Sequence, residues 1–225
     1  MRTLELFSGT GSVGEVAKRR GWQVVSLDRD MEADIKTDIM DWDYKSWLPG
    51  QFDFIWASPP CTEYSVAKTV GTRDIEGSNK VVQRTLDIIE WFDPDYHCIE
   101  NPQTGELKEQ PMMQHRHHDD LDYCKYNMPY RKRTRLWNNI HTWHPRPLCR
   151  RDCDAMDESG KRHKESAQRF PHSKDPNKAE KKKFKQAELY RVPEELVEEI
   201  PIAIEADMSI NGVSKYVPFP PEHRP

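Results

Sequence analysis

Three kinds of reactive side chain occur where predicted strands run or end. Cys61 follows an apolar run and two prolines, and Glu100 closes a later apolar run. Arg133 and Arg135 alternate with other residues in an extended stretch, so a strand would point both guanidinium groups to one face. A thiolate is a nucleophile, a carboxyl group can pass a proton, and guanidinium groups stabilise developing charge. Most intracellular cysteines are inert core residues, so Cys61 gains its interest from the carboxyl group at a neighbouring strand end.

A glycine-containing turn and an aspartate indicate a second site. The turn Gly9-Thr10-Gly11 follows the strand-like run 4–7 and precedes residues with helical spacing. Glycines permit a tight turn and close approach of the backbone to a ligand, although such turns also serve packing alone. Asp28 closes the next strand, where a carboxylate can accept hydrogen bonds from ribose hydroxyls. The pair predicts an adenosine-containing cofactor, and a plain surface aspartate is the alternative.

The elements that carry these residues alternate between strand and helix. Apolar runs at 4–7, 24–27, 52–57 and 97–99 predict strands, and the spacing of residues 82–89 predicts a helix between the last two. This alternation predicts an α/β fold with a mostly parallel sheet flanked by helices. In such folds the chemistry lies at the carboxyl ends of the strands.

Together these motifs resemble, in order and spacing, those of the cytosine-C5 DNA methyltransferases over roughly residues 3–140. The matched positions are Phe7, Gly9 and Gly11 of the cofactor loop, the ribose-binding Asp28, Asp38-Ile39 beside adenine, the Pro60-Cys61 nucleophile, Glu100-Asn101, and Arg133 and Arg135 of Gln-x-Arg-x-Arg. The chain departs from the family at Pro102, where Val is usual, and at Arg131, where Gln is usual. The family's late Gly-Asn-x-Val-Pro element has only a faint echo at 211–213. The small size fits a viral or phage-type member.

The resemblance implies a Rossmann-like methyltransferase fold that binds S-adenosylmethionine and acts on DNA. It implies that Cys61 adds to carbon 6 of cytosine and that Glu100 acts at N3. Arg135, with Arg133 nearby, would hold the base's O2 or brace the Cys61 loop. The residues expected at the cofactor are Phe7, Ser8, Gly9, Thr10, Gly11, Asp28, Arg29, Asp38, Ile39 and Pro59, and those expected at nucleic-acid phosphates are Arg131 and Lys132.

The target atom of a cytosine cannot be reached inside a duplex. The nucleotide must therefore be flipped out, or it must be single-stranded already. The stretch 62–79 has two glycines and few large apolar residues, which predicts a mobile loop that closes over the base; a plain surface connection is the alternative.

Two other functions stay open at the level of the sequence. The same chemistry on RNA or another cytosine-containing acceptor is one, because the segment available for recognition is short. A catalytically inactive nucleic-acid-binding relative is the other, and the retention of Cys61, Glu100 and Arg135 together weighs against it. Methylation of an exocyclic amine is disfavoured. Enzymes that carry out that reaction have an aromatic residue directly after Pro-Pro, and this chain has Cys61 at that position.

The chain divides by composition into three parts. Residues 1–145 form the predicted catalytic and cofactor-binding domain, 146–188 a small basic Cys/His-containing recognition region, and 189–225 a C-terminal helix and tail that pack back on the catalytic domain. The stretch 161–185 has ten Lys and Arg against three acids. Such a run is either a solvated loop or a contact surface for nucleic acid.

A metal site is a further expectation for the recognition region. Cys149, Cys153, His163 and His172 form a C-x3-C-x9-H-x8-H pattern in a segment poor in apolar residues. Sulfur and imidazole ligands suit tetrahedral zinc, which would stabilise a region that lacks its own core. Cys124 is a rival ligand, and scattered histidines with free thiols are the alternative to any metal.

Composition limits the remaining choices. The chain has 225 residues, with 34 Lys and Arg against 38 Asp and Glu, a formal net charge of −4. No window reaches the ~20 apolar residues of a membrane span, and no signal peptide is evident. Five cysteines are then expected as thiols or metal ligands rather than disulfides. These features predict an intracellular protein, cytoplasmic or nucleoid/nuclear and not secreted, with no obligate protein partner evident.

Overall fold

The computed structural model describes residues 1–66, 68, 71–167 and 186–211. The strands are β1 (Arg2–Leu6), β2 (Gln23–Asp28), β3 (Ile35–Lys36), β4 (Phe54–Ala57), β5 (Tyr96–Pro102), β6 (His118–Asp122), β7 (Tyr130–Arg131), β8 (Arg133–Asn138) and β9 (Glu165–Ser166). The helices are α1 (Ser12–Arg19), α2 (Ile75–Phe92), α3 (Gln186–Tyr190) and α4 (Glu194–Asn211). Within these ranges no helix has both the length and the apolar character needed to cross a bilayer.

Seven strands form one sheet in the order β3-β2-β1-β4-β5-β8-β6. The first five in that order pair in parallel, whereas β8 is antiparallel to both β5 and β6. The predicted mostly parallel sheet is therefore confirmed. The carboxyl ends of β1, β2, β4 and β5 meet at one edge, which brings together the glycine turn, Asp28, the Pro-Pro-Cys segment and Glu100.

Helices cover both faces of the sheet because alternate strand residues are apolar on each side. Val24 and Phe54 pack with α1 and α4 on one face, and Val25 and Ile55 pack with α2 on the other. Helix α4 is held to α1 by buried residues that include Leu196 and Ile200. The C-terminal helix thus completes the core on one face of the seven-stranded sheet.

The segment 62–79, expected as a loop, is helical in its last part. Helix α2 begins at Ile75, where the Asp74 carboxylate accepts a hydrogen bond of 2.8 Å from the Gly77 N–H. This side-chain cap satisfies a backbone donor at the helix start. The helix therefore begins several residues before 82–89, where the helical spacing of apolar residues was recognised in the sequence. The expected loop is therefore confined to the residues before α2, of which 67, 69 and 70 lie outside the described residues.

Candidate active site

The segment that carries Cys61 is tied to the strands on both sides of β4. The Ser58 N–H donates to the Leu6 carbonyl at 3.2 Å, and the Asn101 side-chain amide donates to the Pro59 carbonyl at 2.9 Å. Asn101 is 1% exposed, so this second bond is shielded from water. Both bonds hold the half-buried Cys61 at the strand ends. The sequence had identified Asn101 only as part of a motif and had given it no role.

Glu100 lies in a small polar cluster beside Cys61. The Tyr123 hydroxyl donates to Glu100 Oε1 at 2.8 Å, and Lys132 Nζ lies 3.5 Å from the same oxygen. The Lys132 ammonium also lies over the Tyr123 ring, 4.8 Å from its centroid. Glu100 is only 6% exposed, so these contacts act in an environment that water screens weakly.

The charges of this cluster act on the Cys61 thiol. Burial raises the pKa of Cys61 above its ordinary value, the Lys132 ammonium lowers it, and the Glu100 carboxylate raises it. The thiol, carboxyl and ammonium groups are therefore near enough to influence one another. Lys132 lies largely buried against Glu100, and the Tyr123 N–H donates to the Lys132 carbonyl at 3.1 Å. The expected contact of Lys132 with phosphates stays a prediction.

Arg133 and Arg135 are turned toward the acid-rich strand β6. Arg133 makes a two-pronged ion pair with Asp122 at 2.8 and 3.1 Å, and Arg135 makes one with Asp120 at 2.7 and 2.9 Å. In the described residues these guanidinium groups are paired with carboxylates and not with the Cys61–Glu100 pair. Their action on the base stays a prediction, whereas a bracing role for β8 follows from the pairs themselves.

The glycine turn has the backbone geometry of a ligand cradle. Gly9 and Gly11 have φ of 53° and 71°, and Phe7 also lies in the left-handed region at 59°. The Gly11 N–H closes the turn on the Ser8 carbonyl at 2.7 Å, and the Thr10 hydroxyl pairs with Ser12 just beyond it. Among the described residues the Ser8 hydroxyl is buried without a hydrogen-bond partner. A buried free hydroxyl in such a turn is suited to a polar ligand group.

Asp28 supports this turn from the end of β2. One carboxylate oxygen accepts from the Gly9 N–H at 2.8 Å, and the other accepts from the Asp30 and Met31 N–H groups, each at 2.8 Å. A carboxylate offers about four lone-pair sites, so roughly one remains for a ribose hydroxyl. Asp28 thus shapes the loop and keeps capacity for a ligand.

The remaining residues expected at the cofactor lie near this edge with differing exposure. Arg29 is exposed and pairs with Asp30 and, at 3.4 Å, with Asp38. The Ile39 side chain is 3% exposed and packs in the core, and Pro59 is buried. Contacts of Ile39 and Pro59 with a cofactor stay predictions.

Four metal-ligating side chains converge away from Cys61. Ligand atoms of Cys124, Cys149, Cys153 and His163 all lie within 4.8 Å of one another. Three of these residues belong to the expected set, and Cys124, the rival ligand, is the fourth member of the cluster. His172 lies outside the described residues.

Comparisons with known proteins show the family of this chain. Residues 1–130 match the family model described as C-5 cytosine-specific DNA methylase. A protein of Frog virus 3 (isolate Goorha), named "Probable DNA (cytosine-5)-methyltransferase", is 38% identical over an alignment of length 161, and the match covers 65% of this chain and 74% of that protein.

Solved structures give weaker likenesses. An E. coli protein described as a "putative DNA modification methyltransferase" encoded within a prophage has 14% identity and a TM-score of 0.49, covering 66% of this chain and 52% of that one. The Dnmt2 methyltransferase of S. pombe has 16% identity and a TM-score of 0.46, covering 72% and 58%. The chain thus spans about half the length of these solved structures. By the family match over more than half of its residues and the identity to the viral relative, the chain belongs to the C-5 cytosine-specific DNA methylase family.

Proposed function

We propose that this protein transfers the methyl group of S-adenosylmethionine to carbon 5 of cytosine in DNA, through a covalent bond between Cys61 and carbon 6. The observation that carries the proposal is the placement of Cys61 and Glu100 on paired strands: the segment after β4 that carries Cys61 is tied to β5 by the bond from Asn101 to the Pro59 carbonyl, and Lys132 lies 3.5 Å from Glu100. Family membership supports the same reaction.

The thiol is needed because carbon 5 of cytosine is a poor nucleophile. When the Cys61 sulfur bonds to carbon 6, the electrons of the 5,6 double bond become available at carbon 5. The cofactor supplies an electrophilic methyl group there, and its sulfonium becomes a neutral thioether. Loss of the carbon 5 proton then re-forms the double bond, and the Cys61 thiolate leaves carbon 6.

Glu100 serves this addition by managing the charge at N3. A proton held between Glu100 and N3 neutralises the negative charge that addition of the thiolate places on the ring. The Tyr123 hydroxyl occupies Oε1, so Oε2 is left for the base. Lys132 lowers the pKa of Cys61 and thereby increases the thiolate fraction of a thiol whose pKa burial raises.

The cofactor would bind at the glycine turn. The buried free hydroxyl of Ser8, the left-handed Gly9 and Gly11, and the remaining lone pair of Asp28 suit a ligand with ribose hydroxyls and an amino-acid tail. These residues lie at the ends of β1 and β2. Strand β1 is the direct neighbour of β4, which leads to Cys61. Binding there would bring the methyl donor to the edge of the sheet that holds the thiol.

The acceptor we propose is a cytosine flipped out of duplex DNA. The reactive carbon is inaccessible within a stacked base pair, so a cytosine can reach Cys61 and Glu100 only if it leaves the stack. Arg131 is available for phosphate, since 41% of its side chain is exposed although it pairs with Asp122. Most of the basic run 161–185 lies outside the described residues.

The test is a covalent trap. An oligonucleotide with 5-fluorocytosine lacks the carbon 5 proton, so the final elimination is blocked and the protein should stay attached to the base when the cofactor is present. Cys61→Ser should abolish the adduct, because a hydroxyl is far less ionised than a thiol near neutral pH. Glu100→Gln should slow its formation, since an amide cannot pass a proton to N3.

Cys98→Ser is the matched control. Cys98 lies in β5, fully buried and outside the proposed chemistry, so its variant should still form the adduct. An adduct that survives Cys61→Ser would refute the assignment. Parallel DNA and RNA substrates of one sequence separate the acceptors: trapping of RNA alone would replace DNA, and trapping of neither would favour a non-catalytic binding role.

A further inference from the structure

The cluster of Cys124, Cys149, Cys153 and His163, here called the Cys3His cluster, joins two parts of the chain. Cys124 lies in a short 3-10 turn (Tyr123–Tyr126) beside the catalytic sheet, and the other three lie beyond the sheet strands. Two measured separations are 3.6 Å between the sulfurs of Cys149 and Cys153 and 3.5 Å between the Cys149 sulfur and His163 Nε2.

These separations are those of ligands around one tetrahedral ion. Zinc–sulfur bonds of about 2.3 Å and zinc–nitrogen bonds of about 2.05 Å at the tetrahedral angle give edges of roughly 3.8 Å for S···S and 3.6 Å for S···N. A disulfide would instead require about 2.05 Å between sulfurs. Three thiols and one imidazole therefore fit a single soft cation better than a covalent bridge.

The backbone around the cluster favours ionised sulfur. The Arg151 N–H donates to the Cys149 sulfur at 3.3 Å, which stabilises a thiolate. Residues 149–166, here called the hairpin, then turn back on themselves. Met156 and His163 form an antiparallel bridge, and the Lys164 N–H donates a hydrogen bond to the Ala155 carbonyl. This return places the imidazole beside Cys153.

The hairpin has almost no apolar core to stabilise it. The buried residues grouped there are Cys124, Cys149 and Ala155, with Cys153 partly buried against them. Burial of so little apolar surface offsets only a small part of the entropy lost by ordering the segment. A metal cross-link would supply the missing free energy.

The cluster is also connected to the strands on both sides of Lys132, which lies between β7 and β8. The Cys149 N–H donates to the fully buried Asp122 at 3.0 Å, and Asp122 holds Arg133. On the other side of the hairpin, β9 pairs in parallel with β7 through Arg131 and Ser166. Movement of the hairpin would thus be felt on both sides of Lys132.

We propose that Cys124, Cys149, Cys153 and His163 bind one structural zinc ion, which clamps residues 149–166 onto the strands that flank Lys132. This proposal is independent of the methyl-transfer reaction. It predicts a folded protein with roughly one tightly held zinc per chain.

The first experiment measures zinc in full-length protein purified without a metal-affinity step, by elemental analysis and native mass spectrometry. A chelator should remove the ion and lower the melting temperature. Reconstitution with Co²⁺ should give the visible absorption of a tetrahedral thiolate site. The proposal would be overturned if the purified protein contained no metal and its melting temperature were the same with and without added zinc or chelator. A disulfide between Cys149 and Cys153 would also overturn it.

Variants then identify the ligands. His163→Ala should weaken zinc binding by at least about 100-fold, the upper range for loss of a partner around a metal. His163→Cys should retain zinc, because a fourth thiolate also completes a tetrahedral site. His144→Ala, which changes an exposed histidine, is the matched control and should bind normally. Loss of zinc in His172→Ala with retention in Cys124→Ser would overturn this ligand set, and the cobalt spectrum of the unaltered protein stays informative if a variant fails to fold.

Discussion

Asp122→Asn tests whether one buried carboxylate joins the hairpin of residues 149–166 to the catalytic strands. Asp122 has no exposed side-chain surface and accepts two hydrogen bonds from Arg133 and one from the Cys149 N–H. An asparagine of the same shape would present an amide NH2 to the guanidinium group and would carry no charge. The substitution therefore breaks the ion pair with little change in volume.

The expected loss of stability is about 3 kcal/mol. Breaking a buried pair costs about 3–5 kcal/mol, and the lower end applies because 26% of the Arg133 side chain is exposed and can be hydrated. For a chain of this size ~3 kcal/mol corresponds to a fall of roughly 6–12 °C in melting temperature. Calorimetry or circular dichroism measures the shift directly.

The pH dependence gives a second reading of the same pair. Burial alone would raise the pKa of Asp122, but Arg133 and the Cys149 N–H outweigh it and hold the pKa below its ordinary value. The stabilisation is therefore complete above the unfolded pKa of about 3.9 and is lost as the pH falls through the folded pKa. The difference in stability between the unaltered protein and Asp122→Asn should accordingly shrink below about pH 4.

Asp120→Asn is the matched control on the same strand. Asp120 forms its ion pair with Arg135, and 24% of its side chain is exposed to water. Asp120→Asn should therefore lower the free energy of unfolding by only about 1 kcal/mol. Equal shifts in the two variants would refute the reasoning that burial and the Cys149 contact set the cost. Loss of cofactor binding in Asp122→Asn at 25 °C would also refute it, because the glycine turn lies elsewhere on the sheet.

Three further outcomes are expected. Because burial raises the pKa of Cys61, the rate of adduct formation should increase with pH above neutrality. Lys132→Gln should move that increase to higher pH, and Lys132→Arg should restore it. Adduct assays quenched at fixed times across a pH series measure this, and a Lys132→Gln profile identical to that of the unaltered protein would contradict it. Asp28→Ala should weaken cofactor affinity by roughly 10- to 100-fold in calorimetry, the equivalent of about 1.5–3 kcal/mol for a charged hydrogen bond, and unchanged affinity would remove Asp28 from the site. Burial raises the pKa of Glu5 to about 7, so this group lowers stability as pH rises from its unfolded pKa to about 7, and Glu5→Gln should flatten that part of the pH–stability curve.

The sequence predicted the parallel part of the sheet because its strands are apolar enough to be recognised alone. Strand β6 was missed, since His-Asp-Asp-Leu-Asp has three acids in five residues and looks like a solvent loop. It forms a strand because Arg133 and Arg135 neutralise two of those acids across the ladder. Such compensation between distant segments has no local signature.

The proposed active site was predictable in part. Cys61 and Glu100 follow from their positions at strand ends, whereas Tyr123 belongs to no motif and enters the site through a short 3-10 turn. Lys132 had a usable signal: residues of alternating parity face opposite sides of a strand, so Lys132 must face away from Arg133 and Arg135. The register that sets Glu100 opposite Leu136, and with it the approach of Lys132 to Glu100, is visible only in the structure.

Under the proposed function, the charge order Lys132-Arg133-Thr134-Arg135 makes the register of β8 important for the site, because Lys132 directly precedes that strand and contacts Glu100. A slip of one residue would turn every side chain to the other face, sending Lys132 toward the β6 acids and a guanidinium group toward Glu100. Two ion pairs with β6 oppose such a slip, and the one at Asp122 is additionally fixed by the Cys149 N–H. The acids of β6 thus support the proposed site at a distance, because they help to fix Lys132 as the cation beside Glu100.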